Sequence, residues 1–187
     1  MVAGTYAISQ KRTSFLQDFL AIILGSFLIS LCAPISLKLP FTPIPLAIAP
    51  HLCLAFGLLL GPRRGLLTVL AYLFQGAIGL PVFAGGAAGW INLFGPSGGY
   101  LLGAAAGAYV TGTLMENLRS HAPYKAFVAL VAGNLVLYLL GIAQLSLFIG
   151  FKLALLLGVL PFLLGDALKL LVIYKGFSPY LSHRAQT

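Results

Sequence analysis

The chain has 187 residues, of which 60% are hydrophobic and 7% are charged, and its mean hydropathy is +1.02. Soluble domains carry about a quarter charged residues, so this composition excludes a soluble domain. The hydrophobic residues occur in long runs rather than in short alternating segments, which excludes an outer-membrane barrel. The sequence therefore predicts an integral membrane protein built from helices.

The net charge of +8 is distributed along the chain and does not form a patch. Because the bases stand singly or in pairs between apolar runs, they are typical of topology signals rather than of nucleic-acid binding. Cys32 and Cys53 both lie in apolar stretches and have neither the number nor the spacing of a disulfide framework or a metal site. We expect no metal and no cofactor.

The first apolar run covers residues 15–37 and follows Lys11 and Arg12. It is longer than the apolar region of a typical signal peptide, and no A-x-A cleavage site follows it. We therefore predict a retained first membrane helix, preceded by a cytoplasmic segment at residues 1–14.

Proline and glycine divide the rest of the chain. Three prolines between residues 38 and 45 remove backbone donors and prevent a helix from passing through. Residues 79–99 are apolar but rich in glycine, which predicts an irregular loop. Five further helices are predicted at about 46–60, 66–78, 100–118, 126–148 and 155–174.

The positions of the basic residues predict the orientation of these six helices. With the N-terminus inside, eight bases lie on the cytoplasmic side: Lys11, Arg12, Arg63, Arg64, Arg119, Lys125, Lys175 and Arg184. Only Lys38 and Lys152 lie in outer loops, and Lys169 lies within the sixth helix. This asymmetry predicts an all-α protein, a single transmembrane domain of residues 1–187, with both termini and a tail at 175–187 in the cytoplasm.

Asp166 and Lys169 are the most informative polar residues because both lie in the predicted sixth span. Their i,i+3 spacing places them on one face of a helix. A salt bridge between them that only lowers the cost of insertion is one interpretation. The other, which we favour, is a solute pocket in which each charge meets a different part of a ligand.

Several other polar or aromatic residues are predicted at membrane depth. Four of them are each expected to bond a neighbouring helix or a free carbonyl: Gln75, Asn92, Tyr138 and Gln144. His51 is expected to be a polar group in helix packing. The amide of Asn134 either faces a bundle cavity or bonds another helix. Trp90 either anchors the chain at the interface or stacks on a flat ligand. Gly85 and Gly86 let the backbone of the loop approach a ligand closely.

The predicted first helix has small residues at a spacing that favours contact with another helix. Ala21 and Gly25 lie four residues apart, so a partner helix can approach closely there. We expect these two residues to form a docking face.

With these residues laid out, the chain resembles the BioY family, the biotin-binding membrane subunits (S components) of energy-coupling factor (ECF) transporters. The resemblance depends on Phe41-Thr42-Pro43-Ile44-Pro45, residues 59–65 (LLGPRRG), residues 79–86 (GLPVFAGG) and residues 95–101 (GPSGGYL), together with Gly133-Asn134 and residues 161–166 (PFLLGD) followed by Lys169. Together they run from about residue 38 to 172, most of the chain. The chain departs from the family pattern at Ala47-Ile48-Ala49-Pro50, which puts any polar ligand contact from that stretch in doubt.

The resemblance implies a six-helix S component with a vitamin pocket near the outer face, closed by external loops. It implies that Asp166, Lys169, Asn134, Tyr100 and the glycine-rich loop contribute to that pocket. It also implies partners: a transmembrane coupling subunit and two ATPase subunits, or further copies of the chain if it works alone.

Biotin fits this set of side chains. A carboxylate such as Asp166 can accept from its ureido N–H groups, Lys169 can meet its tail carboxylate or hold Asp166 ionised, and Asn92 or Asn134 can both donate and accept. We therefore predict biotin binding without catalysis. The alternatives are another vitamin, a membrane enzyme that uses Asp166 as an acid or base, and a structural scaffold.

Overall fold

The computed structural model describes residues 15–37, 40, 42–117 and 124–184, and their structure is mainly helical. The helices are α1 (Phe15–Cys32), α2 (Ala49–Leu60), α3 (Pro62–Ala77), α4 (Ile91–Phe94), α5 (Gly98–Asn117), α6 (Tyr124–Ile149), α7 (Phe151–Gly158) and α8 (Leu163–Arg184), with a short 3-10 helix at Ala84–Gly86. Two two-residue strands, β1 (Ser36–Leu37) and β2 (Leu46–Ala47), pair antiparallel. The predictions for residues 1–14, Lys38 and Arg119 lie outside the described residues.

Proline and glycine set the helix boundaries. α1 ends at Cys32, earlier than predicted, because Pro34 lacks a backbone donor and restricts the residue before it. α3 begins with Pro62 in its first turn, after Gly61 at a φ of 81°. Arg63 and Arg64 therefore lie in the first turn of α3 rather than in a loop.

The proline-rich break between α1 and α2 is confirmed, and it folds back on itself. Leu46 pairs with Leu37 as a strand, so α2 begins at Ala49 instead of residue 46. The hydroxyl of Thr42 donates to the carbonyl of Leu157 at 2.7 Å and accepts from the backbone N–H of Ile44 at 3.2 Å. This turn therefore contacts the end of α7.

The prediction of one continuous helix at 155–174 is wrong. The structure has two helices, α7 and α8, which meet at 51°. Pro161 lies between them, and a proline in a helix interior removes a hydrogen bond and clashes with the preceding turn. Lys152, predicted in a loop, lies in the first turn of α7, and α8 continues to Arg184 beyond the predicted end at 174.

Within the described residues, two helices are long and apolar enough to cross a membrane by themselves, α1 and α6. The bent pair α7–α8 makes a third if it counts as one span. α2 is apolar but has only 12 residues. The six spans expected from the sequence therefore stay a prediction.

Glycines let the central helices pack backbone to backbone. A Cβ at Gly107 of α5 would lie 2.6 Å from the carbonyl oxygen of Gly133 in α6, and one at Gly103 would lie 2.8 Å from that of Leu137. Small residues at such contacts are typical of helix pairs in membranes. α5 and α6 therefore form the close-packed centre of the molecule.

α1 packs on α3 through a small polar group, which we call the α1–α3 cluster: Ser26, Ser30 and Gln75. Ser30 donates to Gln75 Oε1 at 2.7 Å, and Gln75 Nε2 donates to Ser26 Oγ at 3.0 Å. Asp18 and Arg64 form an ion pair between the same helices at 3.0 Å. The prediction that Gln75 bonds a neighbouring helix is confirmed.

Gly25 lies on the buried side of α1. A Cβ there would lie 2.8 Å from Cγ2 of Thr68 and 3.0 Å from the ring of Phe56. The small size of Gly25 is thus already used by packing within the chain, whereas Ala21 is half-buried. The docking role of these two residues stays a prediction.

Candidate functional site

A cavity of about 110 Å³ lies where α2, α3, α5, α6, α8 and the glycine-rich loop meet. Its walls are mostly apolar, and its polar lining includes Asp166, Lys169, His51, Asn92 and Tyr138. A space of this size holds more than a single water molecule. Apolar walls with a few converging polar groups are typical of a small-molecule site.

Asp166 is buried at 6% exposure in the first turn of α8, just after the bend. Its Oδ1 lies 2.9 Å from Lys169 Nζ, and its Oδ2 accepts a hydrogen bond from the hydroxyl of Tyr138 at 2.5 Å. A buried carboxylate is tolerated when paired and hydrogen-bonded in this way. The i,i+3 pair predicted from the sequence is present, and both of its members line the cavity.

Lys169 also connects α8 to the strand before α2. Its Nζ donates to the carbonyl oxygen of Ala47 at 3.1 Å. Ala47 belongs to the stretch where the sequence departs from the family pattern, and it contributes a backbone carbonyl rather than a polar side chain. An ammonium has three donors, and within the described part of the chain two of them have partners, so one remains for a ligand.

His51 is a cavity residue that the sequence interpretation missed. It was expected only to pack between helices, but it lines the cavity at 2% exposure, and its Nε2 lies 3.4 Å from Asp166 Oδ1. Nothing in the sequence near His51 relates it to Asp166, because the two are brought together by the packing of α2 beside α8. Tyr72 of α3 also lines the cavity and was missed for the same reason.

The glycine-rich loop covers one side of the cavity through Phe83, Ala84 and Ala87. The ring of Phe83 is buried directly against Gly76, where any Cβ would collide with it, and it meets Tyr72 edge to face. Loop backbone N–H groups donate to helix and turn carbonyls, Gly89 to Gly76 at 2.7 Å and Gly85 to Pro34 at 3.2 Å. The loop is therefore held in place by several independent contacts.

Gly85 and Gly86 do not line the cavity themselves. They have φ values of 69° and 77° and are exposed, with open space around a Cβ at Gly86. Their positive φ is a conformation that favours glycine. They form the turn that places the neighbouring Ala84 and Ala87 at the cavity.

Asn92 lies at the cavity, whereas Trp90 does not. The amide nitrogen of Asn92 donates to the carbonyls of Ala88 at 2.6 Å and Gly89 at 3.3 Å, which leaves its oxygen available as an acceptor. Trp90 is 57% exposed and is not among the lining residues. The structure thus places Trp90 away from this cavity, and both of its predicted roles, interface anchor and ligand stacking, stay predictions.

Tyr100 lines the cavity and fixes the bend near Gly158. Its ring lies against Gly141 of α6, and its hydroxyl donates to the carbonyl of Gly158 at 2.8 Å. Gln144 donates to the carbonyls of Leu93 and Gly95 at 3.0 and 2.8 Å, which confirms its predicted bond to free carbonyls. These contacts tie α5 and the loop to α6 and α7.

Asn134 lies away from this cavity. It lines a second, almost wholly apolar cavity of about 390 Å³ between α6 and α8. It is 7% exposed, and its Oδ1 has no hydrogen-bond partner among the described residues. Tyr138, one turn further along α6, lines both cavities and separates Asn134 from Asp166.

The side chains around this cavity can bind a polar ligand. They include a carboxylate (Asp166), an ammonium (Lys169), an imidazole (His51) and an amide (Asn92) around an apolar space. No group of three His, Cys, Asp or Glu side chains that could hold a metal ion occurs among the described residues.

Comparison with known proteins gives consistent results. The model of the BioY family matches residues 7–183. A probable biotin transporter BioY of Pyrococcus horikoshii is 37% identical over 127 residues, covering 68% of this chain and 74% of the relative. A biotin transporter BioY of Rhizobium etli is 37% identical over 163 residues, covering 82% and 84%.

A solved structure has the same fold. The crystal structure of the S-component for biotin from an ECF-type ABC transporter superposes with a TM-score of 0.78 at 25% identity. The match covers 90% of this chain and 94% of the other. The described residues therefore adopt an S-component fold, and the chain is a membrane protein.

Proposed function

The chain belongs to the BioY family, and we propose that it binds biotin and takes it up across the cytoplasmic membrane as the substrate-capture subunit of an ECF-type ABC transporter. The observation that carries this proposal is the cavity in which Asp166 and Lys169 meet beneath the glycine-rich loop. Relatives that match most of the chain are named biotin transporters. The chain is a transport protein and not an enzyme.

The cavity suits the two ends and the middle of biotin. The ureido ring has two N–H donors and a carbonyl acceptor, and Asp166 and the oxygen of Asn92 are acceptors at the cavity. The remaining N–H of Lys169 is available for the carboxylate of the tail, at charge-assisted strength. The rings of Tyr100 and Phe83 and the alanines of the loop enclose the apolar part of the ligand.

The proposed topology is a single domain with six membrane spans and both termini in the cytoplasm. The spans are α1, α2, α3, α5, α6 and the bent pair α7–α8, with the glycine-rich loop on the outer side. The support is the sequence asymmetry of basic residues, eight inside against two outside. In this orientation the cavity lies next to the outer loop, on the side from which biotin arrives.

Uptake against a gradient needs an energy source, and the chain carries no phosphate-binding motif of the Walker type. We therefore infer that it works with a transmembrane coupling subunit and two ATPase subunits. The proposed docking surface is the exposed apolar side of α1. Ala21, which is half-buried, lies at its edge. Self-association is the alternative if no such partners accompany the chain.

Isothermal titration of the detergent-purified protein with biotin tests this proposal. We expect saturable binding of one biotin per chain and no binding of vitamins without a ureido ring, such as thiamine or riboflavin. Tight binding of another vitamin in place of biotin would overturn the substrate. Absence of binding by every member of the panel would overturn the function.

A further inference from the structure

His51 and Tyr72 carry buried polar atoms that the proposed function has not used. Both ring nitrogens of His51 and the hydroxyl of Tyr72 lack a hydrogen-bond partner among the described residues. The two side chains are 2% and 1% exposed, and both line the same cavity. Because buried polar groups in folded proteins are nearly always hydrogen-bonded, an unpaired atom in a side chain that lines a cavity calls for a partner that the described residues do not supply.

The surroundings of His51 determine which of its nitrogens is available. Nε2 lies 3.4 Å from Asp166 Oδ1, which is longer than an ordinary N–H···O hydrogen bond, and it has no hydrogen-bond partner among the described residues. Because a carboxylate attracts a donor, we assign His51 as a neutral imidazole with its proton on Nε2, toward Asp166. Nδ1 is then left as a bare acceptor on the opposite side of the ring.

Asp166 alone has limited capacity for a ureido ring. An ionised carboxylate has about four lone-pair positions. In this structure Lys169 and Tyr138 occupy two of them, and His51 Nε2 lies 3.4 Å from Oδ1 without a hydrogen bond. The two N–H groups of a ureido ring lie on either side of its carbonyl and point apart, so Asp166 can accept from one of them and the other needs a second acceptor.

We propose that His51 is a further binding residue of this site, whose Nδ1 accepts a hydrogen bond from an N–H of the ligand's ureido ring while its Nε2–H faces Asp166. This inference rests on the proposed function, because it assumes biotin as the ligand. It assigns the recognition of the two ureido N–H groups to side chains on different helices, Asp166 on α8 and His51 on α2. A ligand that lacks one of these N–H groups would leave one acceptor unpaired.

Three substitutions of His51, measured by titration with biotin, test this assignment. His51→Leu removes both nitrogens at similar size, and we expect about a 10-fold loss of affinity. The amide of His51→Asn reaches as far as Nδ1, so its oxygen replaces the acceptor and most of the affinity returns. The amide of His51→Gln reaches as far as Nε2, so we expect it to bind as weakly as His51→Leu.

A matched control separates contact from packing. Cys53, two residues along α2, is 1% exposed and does not line the cavity, so Cys53→Ala changes the same helix without touching the site. We expect its affinity for biotin to equal that of wild type. If His51→Leu cannot be purified, the contrast between His51→Asn and His51→Gln decides the question.

Biotinamide, which lacks the charged tail, identifies the part of the ligand that His51 contacts. We expect the loss caused by His51→Leu to be the same for biotin and for biotinamide. Disappearance of the loss with biotinamide would mean a contact with the tail and would overturn the assignment.

Two results with the His51 variants would also overturn the assignment of His51 to the ureido ring. One is wild-type biotin affinity in His51→Leu; the other is biotin affinity restored in His51→Gln but not in His51→Asn. In those cases the wild-type titration with biotin would still support the proposed function, so the two failures are distinguishable.

Discussion

Two groups of buried polar side chains lie in the apolar helices of this molecule, and they differ in what their atoms bond. In the α1–α3 cluster, Ser30 and Ser26 bond the two ends of the Gln75 amide, and none of the three lines either of the cavities described. Around Asp166, by contrast, the polar groups border a cavity. There the ring nitrogens of His51 have no hydrogen bond among the described residues, and Lys169 Nζ has two partners for its three donors among them.

The difference shows which polar residues in a membrane helix point to function. Burial alone does not, because both groups contain buried side chains. A cluster whose members satisfy one another stabilises helix packing, whereas a cluster with unused donors and acceptors beside a cavity is arranged for a ligand. Breaking each group in turn should therefore affect different properties of the protein.

The largest effect on binding is expected from Asp166→Asn. The change keeps the size of the side chain but removes the charge that Lys169 and Tyr138 surround, so we expect about a 100-fold loss of biotin affinity. Titration calorimetry measures it. The matched control is Asp18→Asn, which removes the acid that pairs α1 with α3 and should leave biotin affinity unchanged. Equal losses in both variants would contradict the assignment of Asp166 to the binding site.

A smaller loss of binding is expected from Lys169→Met. Methionine preserves the apolar stem but not the ammonium, so Asp166 loses its ion pair and the ligand loses one donor. We expect a loss of roughly 10- to 50-fold in the same titration. Biotinamide should lose less than biotin, because it has no tail carboxylate for Lys169 to meet. A larger loss for biotinamide would mean that Lys169 does not contact the tail.

Gln75→Leu breaks the α1–α3 cluster, and we expect it to leave biotin binding unchanged. Interhelical hydrogen bonds in membrane proteins contribute about 0.6 kcal/mol each on average, so the loss of two should lower the free energy of unfolding by about 1 kcal/mol. A thermal-unfolding scan in detergent should show a Tm lower by about 2–4 °C. Weaker biotin binding at an unchanged Tm would assign Gln75 to the site instead.

The sequence predicted the parts of this site that depend on local spacing. Asp166 and Lys169 are separated by less than one helical turn, so their pairing follows from helix geometry alone. The interruptions at the proline-rich segment and at the glycine-rich loop follow from the backbone limits of proline and glycine. The loop's position over the cavity, in contrast, depends on Gly76 beneath Phe83, which spacing does not reveal.

The parts that were missed depend on contacts between distant elements. His51 meets Asp166 because α2 packs beside α8, and Asn134 lines the second cavity while Tyr138 borders both. The bend at Pro161 was missed because the apolar run continues through it, although the proline itself was a visible signal. Trp90 was open to two interpretations, and a single aromatic residue in a loop does not distinguish them.

The most direct measurement is an experimental structure of the protein with biotin bound. The ureido ring is expected within hydrogen-bonding distance of Asp166 and of Nδ1 of His51, beneath Ala84 and Ala87 of the loop. Biotin bound instead in the apolar cavity between α6 and α8, beside Asn134, would contradict the account.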